Sequence, residues 1–207
     1  MGRNGRRMLG WVLAGALGSS ALAGCGEPFD AAASFTDGRP VPEPVARVSF
    51  ELPAGAVRIR VREDAPVSLR REVTYRGDRP GSSHQVRGDT LVLEGCGTEC
   101  EVEYDLVLPR DLPVSGTLGA GAVRVDGAAS VDVRADSGEI DLTLREPADV
   151  RAETTSGSVT VTVPRSTYQV DAAAGTGRTE VRVPDDPGAA HRIEARAGTG
   201  DVLVRTA

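Results

Sequence analysis

Residues 131–144 run Val131-Asp132-Val133-Arg134-Ala135-Asp136-Ser137-Gly138-Glu139-Ile140-Asp141-Leu142-Thr143-Leu144. Apolar residues stand at 131, 133 and 135, then again at 140, 142 and 144, with charged or polar residues between them. Alternation of this kind is the mark of a strand with one buried and one solvated face. The parity changes from odd to even across Ser137-Gly138, so the two halves present one common face only if the chain turns a corner at the glycine. The stretch therefore reads as strand, glycine corner, strand. Alone, such a unit is too thin to bury its apolar side.

The same phrase recurs on both sides. Aligned on Gly55, Gly121, Gly138, Gly157, Gly177 and Gly200, each glycine follows a small residue (Ala54, Ala120, Ser137, Ser156, Thr176, Thr199). Seven positions before it stand Val48, Val114, Val131, Val150, Val170 and Ile193, and four after it Ile59, Val125, Leu142, Val161, Val181 and Val204. Counting also the positions five and three before and two and six after, 31 of 36 slots are apolar and the other five are Thr or Gly. None is charged, although 26% of the chain is. Self-similarity at this period is the signature of a repeat architecture in which stacked units bury what one unit cannot. The expectation is an all-β, single-domain β-solenoid over residues 45–207, with units of about 20 residues laid one on the next in chain order and about 4.8 Å apart. The glycines supply positive φ at the corner. Small inner residues such as Ala152, Ala172 and Ala195 predict a narrow interior.

Outward positions fit the same scheme. Asp132, Arg151 and Asp171 recur at one slot, so opposite charges meet between neighbouring units and form a salt ladder. The connections at the second corner (128–130, 145–149, 164–169, 184–192) lengthen toward the C-terminus. Residues 62–113 occupy that corner after Val61 as a larger insertion with alternating strands of its own. Variable loops on a rigid scaffold are the expected place for binding.

Upstream lies a targeting pattern. Arg3, Arg6 and Arg7 precede an apolar stretch over 8–23, and Leu22-Ala23-Gly24-Cys25 resembles a lipobox. A stretch of sixteen residues falls short of the ~20 that a membrane span needs. Residues 1–24 are thus expected to be a lipoprotein signal peptide, with Cys25 acylated and the protein held outside the cytoplasm by lipid. Arg6-Arg7 echoes a twin-arginine signal, but Gly5 stands where Ser or Thr belongs, so the export route stays open between the two systems. Residues 25–44, with Pro28, Pro40, Pro42 and Pro44, read as a flexible tether. In an oxidising compartment Cys96 and Cys100 are expected to pair. The loop they close is short, and the chain-entropy model assigns it about 2 kcal/mol.

Several phrases have the form small-Gly-x-Val-x-Val. They are Ser137-Gly138-Glu139-Ile140-Asp141-Leu142, Ser156-Gly157-Ser158-Val159-Thr160-Val161 and Thr199-Gly200-Asp201-Val202-Leu203-Val204, preceded by Tyr104-Asp105-Leu106-Val107-Leu108-Pro109. From Val45 to the C-terminus the chain resembles the bacterial "putative adhesin" family of β-solenoid domains of unknown function. The resemblance implies surface adhesion and carries no catalytic residues.

The rest of the sequence narrows the function. The chain has net charge −6, and all 24 basic residues are arginine. These arginines are scattered among carboxylates and form no basic stripe, which argues against nucleic acid as a partner. Arg76-Gly77-Asp78 and Arg87-Gly88-Asp89 spell an adhesion triplet, but Gly-Asp also suits an ordinary turn. Gly198-Thr199-Gly200-Asp201 is a lone echo of a calcium roll. His84 and His191 lie far from the cysteine pair, and no nucleophile pattern accompanies Ser130 or Ser166. No catalytic residue, cofactor or metal site is therefore expected. The preferred reading is a lipid-anchored binding or scaffolding domain whose partners are the membrane through Cys25 and an envelope glycan or surface protein. An envelope carbohydrate-active enzyme would instead show a cleft with two carboxylates. A sensory ectodomain would work through a membrane partner.

Overall fold

The computed structural model describes residues 31–207. The lipobox, Cys25 and the start of the tether lie outside them. The described chain is all β, with fourteen strands. They are β1 (Ala33–Pro40), β2 (Arg47–Val61), β3 (Ser68–Tyr75), β4 (His84–Arg87), β5 (Thr90–Glu94), β6 (Cys100–Leu108), β7 (Pro113–Asp126), β8 (Ser130–Thr143), β9 (Val150–Ser156), β10 (Val159–Val163), β11 (Gln169–Thr176), β12 (Thr179–Arg182), β13 (Arg192–Thr199) and β14 (Val202–Thr206). All belong to one sheet, which runs from β1 to β12 without closing.

The repeats pair in parallel and in register. Val48 lies on Val114, Val114 on Val131 and Val131 on Val150. Beyond the corner, Val57 lies on Val123, Val123 on Ile140 and Ile140 on Val159. Every inner slot of the Gly55, Gly121, Gly138, Gly157 and Gly200 units is buried except Gly116 and Thr206. The interior is a continuous column of Val, Leu, Ile and Ala. Gly116 leaves room for the Phe50 ring, which a Cβ there would meet at 2.5 Å.

The corner glycines form a second column. Their φ angles range from 127° at Gly55 to 141° at Gly138. A Cβ on Gly121 would lie 1.7 Å from the Gly55 carbonyl oxygen, one on Gly138 1.7 Å from that of Gly121, and one on Gly157 2.0 Å from that of Gly138. The glycines are thus required twice over, by backbone conformation and by the closeness of the next unit.

The order of the last two units differs from chain order. β13 pairs with β9 on one side and β11 on the other, and β14 lies between β10 and β12. The Gly200 unit is therefore inserted between the Gly157 and Gly177 units. Val131 and Val150 are neighbours as expected, but Ile193 follows, and Val170 comes one layer further out. The expected ladder Asp132, Arg151, Asp171 becomes Asp132, Arg151, Glu194, Asp171. In this order the larger Ile193 and Val202 take the buried interior layer, Val170 and Thr179 the outer one, and Arg196 enters between Glu153 and Asp171. The long connection over 183–191 gives the chain length to step back.

Two further differences concern the start of the domain. Residues 33–40, expected to be flexible tether, form β1, which pairs antiparallel with β3. Phe35 packs edge-on to Tyr75 and Asp37 binds Arg71, and these contacts fix a segment whose own periodicity is weak. The insertion over 62–113 supplies a unit of its own. β5 lies parallel on the first half of β2 and β6 parallel on its second half. Leu91 and Leu93 take the slots beside Val48 and Phe50, and Tyr104 and Leu106 those beside Val57 and Ile59. Where other units place a glycine corner, this one has the loop closed by the Cys96–Cys100 disulfide, with Cα atoms 5.7 Å apart. One length change thus lies at the glycine edge and not at the second corner. β4 and β3 then cover β5 and β6 in antiparallel pairing.

Candidate binding face and the capped end

The outward slots of β8, β9, β13 and β11 bring four arginines and four carboxylates together. Arg134 pairs with Asp132 and Glu153, Arg151 with Glu153 and Glu194, and Arg196 with Glu153, Glu194 and Asp171. Arg192 completes the chain at Asp171. Parallel in-register pairing creates this network, because each outward slot stands beside the same slot of the next unit. Such cross-strand pairs contribute roughly 0.2–1 kcal/mol each on a solvated face.

A cleft of about 690 Å³ opens along the starts of β7, β8, β9 and β13. Arg47, Asp132, Asp149, Arg151, Arg192 and Glu194 give it its polar character. Asp149 accepts a hydrogen bond from the Arg192 backbone N–H at 3.0 Å and lies 3.7 Å from His191 Nδ1. Asp132 and Glu194 are held by arginines. The cleft thus holds three carboxylates, of which Asp132 and Glu194 are paired with guanidinium groups and Asp149 accepts from a backbone N–H, and Ser115 and Ser130 line it beside them. The arrangement suits hydrogen bonding to a hydroxyl-rich or charged surface. Among the described residues no group of three or more His, Cys, Asp or Glu is placed to hold a metal ion.

The far end of the stack, at β1 and β3, is closed by a buried polar cluster that the sequence pattern did not reveal. Arg71 sits at an inward slot of β3, where alternation calls for an apolar residue. It donates from Nε and Nη2 to the Asp37 carboxylate at 2.7 and 2.8 Å, and from Nη1 to the Gly81 carbonyl and the Ser83 hydroxyl, both at 2.8 Å. The Tyr104 hydroxyl reaches the Ser83 carbonyl, the Ser83 hydroxyl at 2.6 Å and the Glu94 carbonyl at 2.8 Å. Hydrogen bonding to Arg71 holds the Asp37 carboxyl below the usual range and raises the Arg71 guanidinium. Burial pushes the Tyr104 phenol up to about 12 and, with help from the Arg71 charge, lowers the His84 imidazole. One polar knot thus ties β1, β3, β6 and the 79–83 loop together. The pairing of Asp37 with Arg71, 34 residues apart, has no local signal in the sequence.

The other motifs singled out in the sequence fall in turns. Gly88-Asp89 forms the two-residue loop of the β4–β5 hairpin, with Gly88 at φ 64° as a II′ turn requires at its first position. Gly77 turns the chain after β3 at φ 76°. His84 and His191 are not brought together: one lines the capped end, the other the long C-terminal connection.

No protein-family model and no curated protein matches the sequence. Solved structures do. A putative cell adhesion protein from Clostridium sporogenes superposes with a TM-score of 0.58 at 16% identity, covering 84% of this chain and 100% of that one. A putative adhesin from Bacteroides fragilis (TM-score 0.31, 11% identity, 83% and 97% covered) and a putative lipid binding protein from Parabacteroides distasonis (0.33, 13%, 83% and 96%) also match, at a distance that carries no structural argument. The likeness to the Clostridium sporogenes protein is one of fold.

Proposed function

We propose that the protein is a cell-envelope lipoprotein whose exported part is a β-solenoid acting as a non-enzymatic, adhesin-like binding or scaffolding domain. The observation that carries this reading is the in-register parallel stack with its self-paired charged face. Such a stack is a rigid rod with an extended polar surface, suited to lying against an envelope glycan or a surface protein. The likeness in fold to a putative cell adhesion protein supports it. On this reading Cys25 is acylated and tethers the β1 end to the membrane.

Two experiments test it. Metabolic labelling with a fatty acid should mark the protein and keep it in the membrane fraction, and Cys25→Ala should abolish both; retention without label refutes the lipoprotein. Binding to purified envelope glycans and to intact cells should fall when Arg151→Ala and Arg192→Ala are combined at the cleft. Glycan hydrolysis by the purified protein would overturn the non-enzymatic reading.

A further inference from the structure

The capped end contains a recess of about 290 Å³ under β1, distinct from the cleft on the binding face. On β1, Phe35, Asp37 and Arg39 share one side, opposite Val73, Arg71 and Leu69 of β3. The loop that carries Arg79 closes the recess from the other side, and His84 lines it. Three guanidinium groups and one carboxylate therefore meet here. Asp37 is the only carboxylate in the lining, and Arg71 already engages it through both oxygens. The Arg79 guanidinium lies over the Phe35 ring, 3.9 Å from its centroid, which holds its plane in place. The His84 Nδ1 atom is shielded from solvent and has no hydrogen-bond partner in the protein. Arg71 is accounted for by Asp37, Gly81 and Ser83, but among the described residues Arg39 and Arg79 are paired with no carboxylate, so the recess keeps an excess of positive charge in an otherwise acidic chain.

We propose that this recess binds the phosphate group of an envelope component, in the first place an anionic phospholipid headgroup. Arginine forks match phosphate oxygens in pairs, so Arg39 and Arg79 can each donate two hydrogen bonds to one group. Arg71, already paired with Asp37, fixes the wall of the recess from which Arg39 projects. The source follows from chain length and rests on the lipoprotein reading above. Ala33, the first residue of β1, is eight positions after Cys25. Fully extended, such a segment spans at most about 29 Å, so an acylated Cys25 would hold the recess close to the headgroups. The recess would then orient the stack on the membrane as well as bind.

The test uses the full chain with Cys25→Ser, so that acylation plays no part. Inorganic phosphate is titrated by calorimetry, and flotation is measured with phosphatidylglycerol and phosphatidylcholine vesicles. The apolar 8–23 stretch acts on both vesicle types and Arg3, Arg6 and Arg7 favour phosphatidylglycerol in every variant, so the preference for phosphatidylglycerol is read as the excess over that shown by a peptide of residues 1–24. Arg39→Ala with Arg79→Ala should weaken phosphate binding by about tenfold or more and remove the preference for phosphatidylglycerol. Arg182→Ala, at the opposite end of the stack, should leave both unchanged. Phosphate binding without vesicle preference keeps the site and assigns it a soluble phosphate, which refutes the headgroup source. Absence of both, or equal binding by the double variant, overturns the proposal. Failure of Cys25 labelling would refute the tether and leave this result standing.

Discussion

The two ends of the stack solve the same problem in opposite ways. At the β1 end, antiparallel strands β3 and β4 cover the last parallel layer, and the Arg71 knot locks them down. At the other end the Gly177 unit, β11 with β12, has no strand beyond it among the described residues. Its inner slots follow the same code as every other unit, yet Thr179 and Val181 are exposed and Val170, Ala172 and Ala174 only half-buried. Val181 is 42% exposed, while Val161, at the same slot two units further in, is fully buried. A slot pattern fixes which way a side chain points; position in the stack fixes whether anything lies there to cover it. The terminal unit compensates with small residues and with Arg182 and Glu180 paired across its outer edge, charges that discourage further strand addition.

The largest test of this contrast is an acidic substitution at the shared slot. Val161→Asp should cost at least about 4 kcal/mol or prevent folding, because an unpaired carboxylate would enter the core. Val181→Asp should shift stability by no more than about 0.5 kcal/mol. Urea unfolding of the two variants checks the pair, and a near-normal Val161→Asp protein would show the register to be wrong. The glycine column gives the next effect. Gly138→Ala should cost about 3–5 kcal/mol, since its Cβ meets a carbonyl in a unit held on both sides. Gly177→Ala meets the Gly200 carbonyl at 2.1 Å, but the terminal unit can shift outward, so about 1–2 kcal/mol is expected.

At the capped end, Arg71→Ala should cost about 2–3 kcal/mol by leaving the Asp37 carboxylate and the Gly81 carbonyl without their donor, with faster hydrogen exchange in β1 than in β8. Removing the disulfide with Cys96→Ser and Cys100→Ser should cost about 2 kcal/mol. The smallest effect is on pH. Asp37 is held below the ordinary carboxylate range, so its contribution is complete above that range and is lost as pH falls through its lowered pKa. His84 is likewise lowered, and its contribution is complete above the ordinary histidine value and declines as pH falls below it. Mild acid should therefore loosen β1 and its loop before it affects β11 and β12. Hydrogen exchange resolved by segment at descending pH measures this, and simultaneous loosening of both ends would contradict the role given to the Arg71 knot.

The repeat was legible because its signal is local: alternation inside each half-unit, a parity change at the glycine, and a fixed spacing between them. The salt ladder could be anticipated slot by slot, but its order could not. Asp171 looked like the neighbour of Arg151 because the two are adjacent in the chain's own sequence of repeats, while the molecule places Glu194 between them. Nothing local distinguishes the Gly177 unit from the Gly200 unit except how well Ile193 and Val202 fill a layer compared with Val170 and Thr179. The insertion showed its strands but not its role as a unit of the stack, because a disulfide loop replaces the glycine that marks the others. β1 was missed for a related reason. Its strand character comes from pairing with β3 and from Asp37 reaching Arg71, contacts that no window of neighbouring residues contains.

The amino-acid order alone determined an all-β chain, the direction of each side chain within its unit, the six corner glycines and the pairing of the two cysteines, since each depends on residues close together along the backbone. Only the tertiary structure decided which unit sits beside which, how the stack is capped and where three arginines converge. Those outcomes depend on how surfaces from distant segments fill and neutralise one another, and that competition is settled only when all the units are in place.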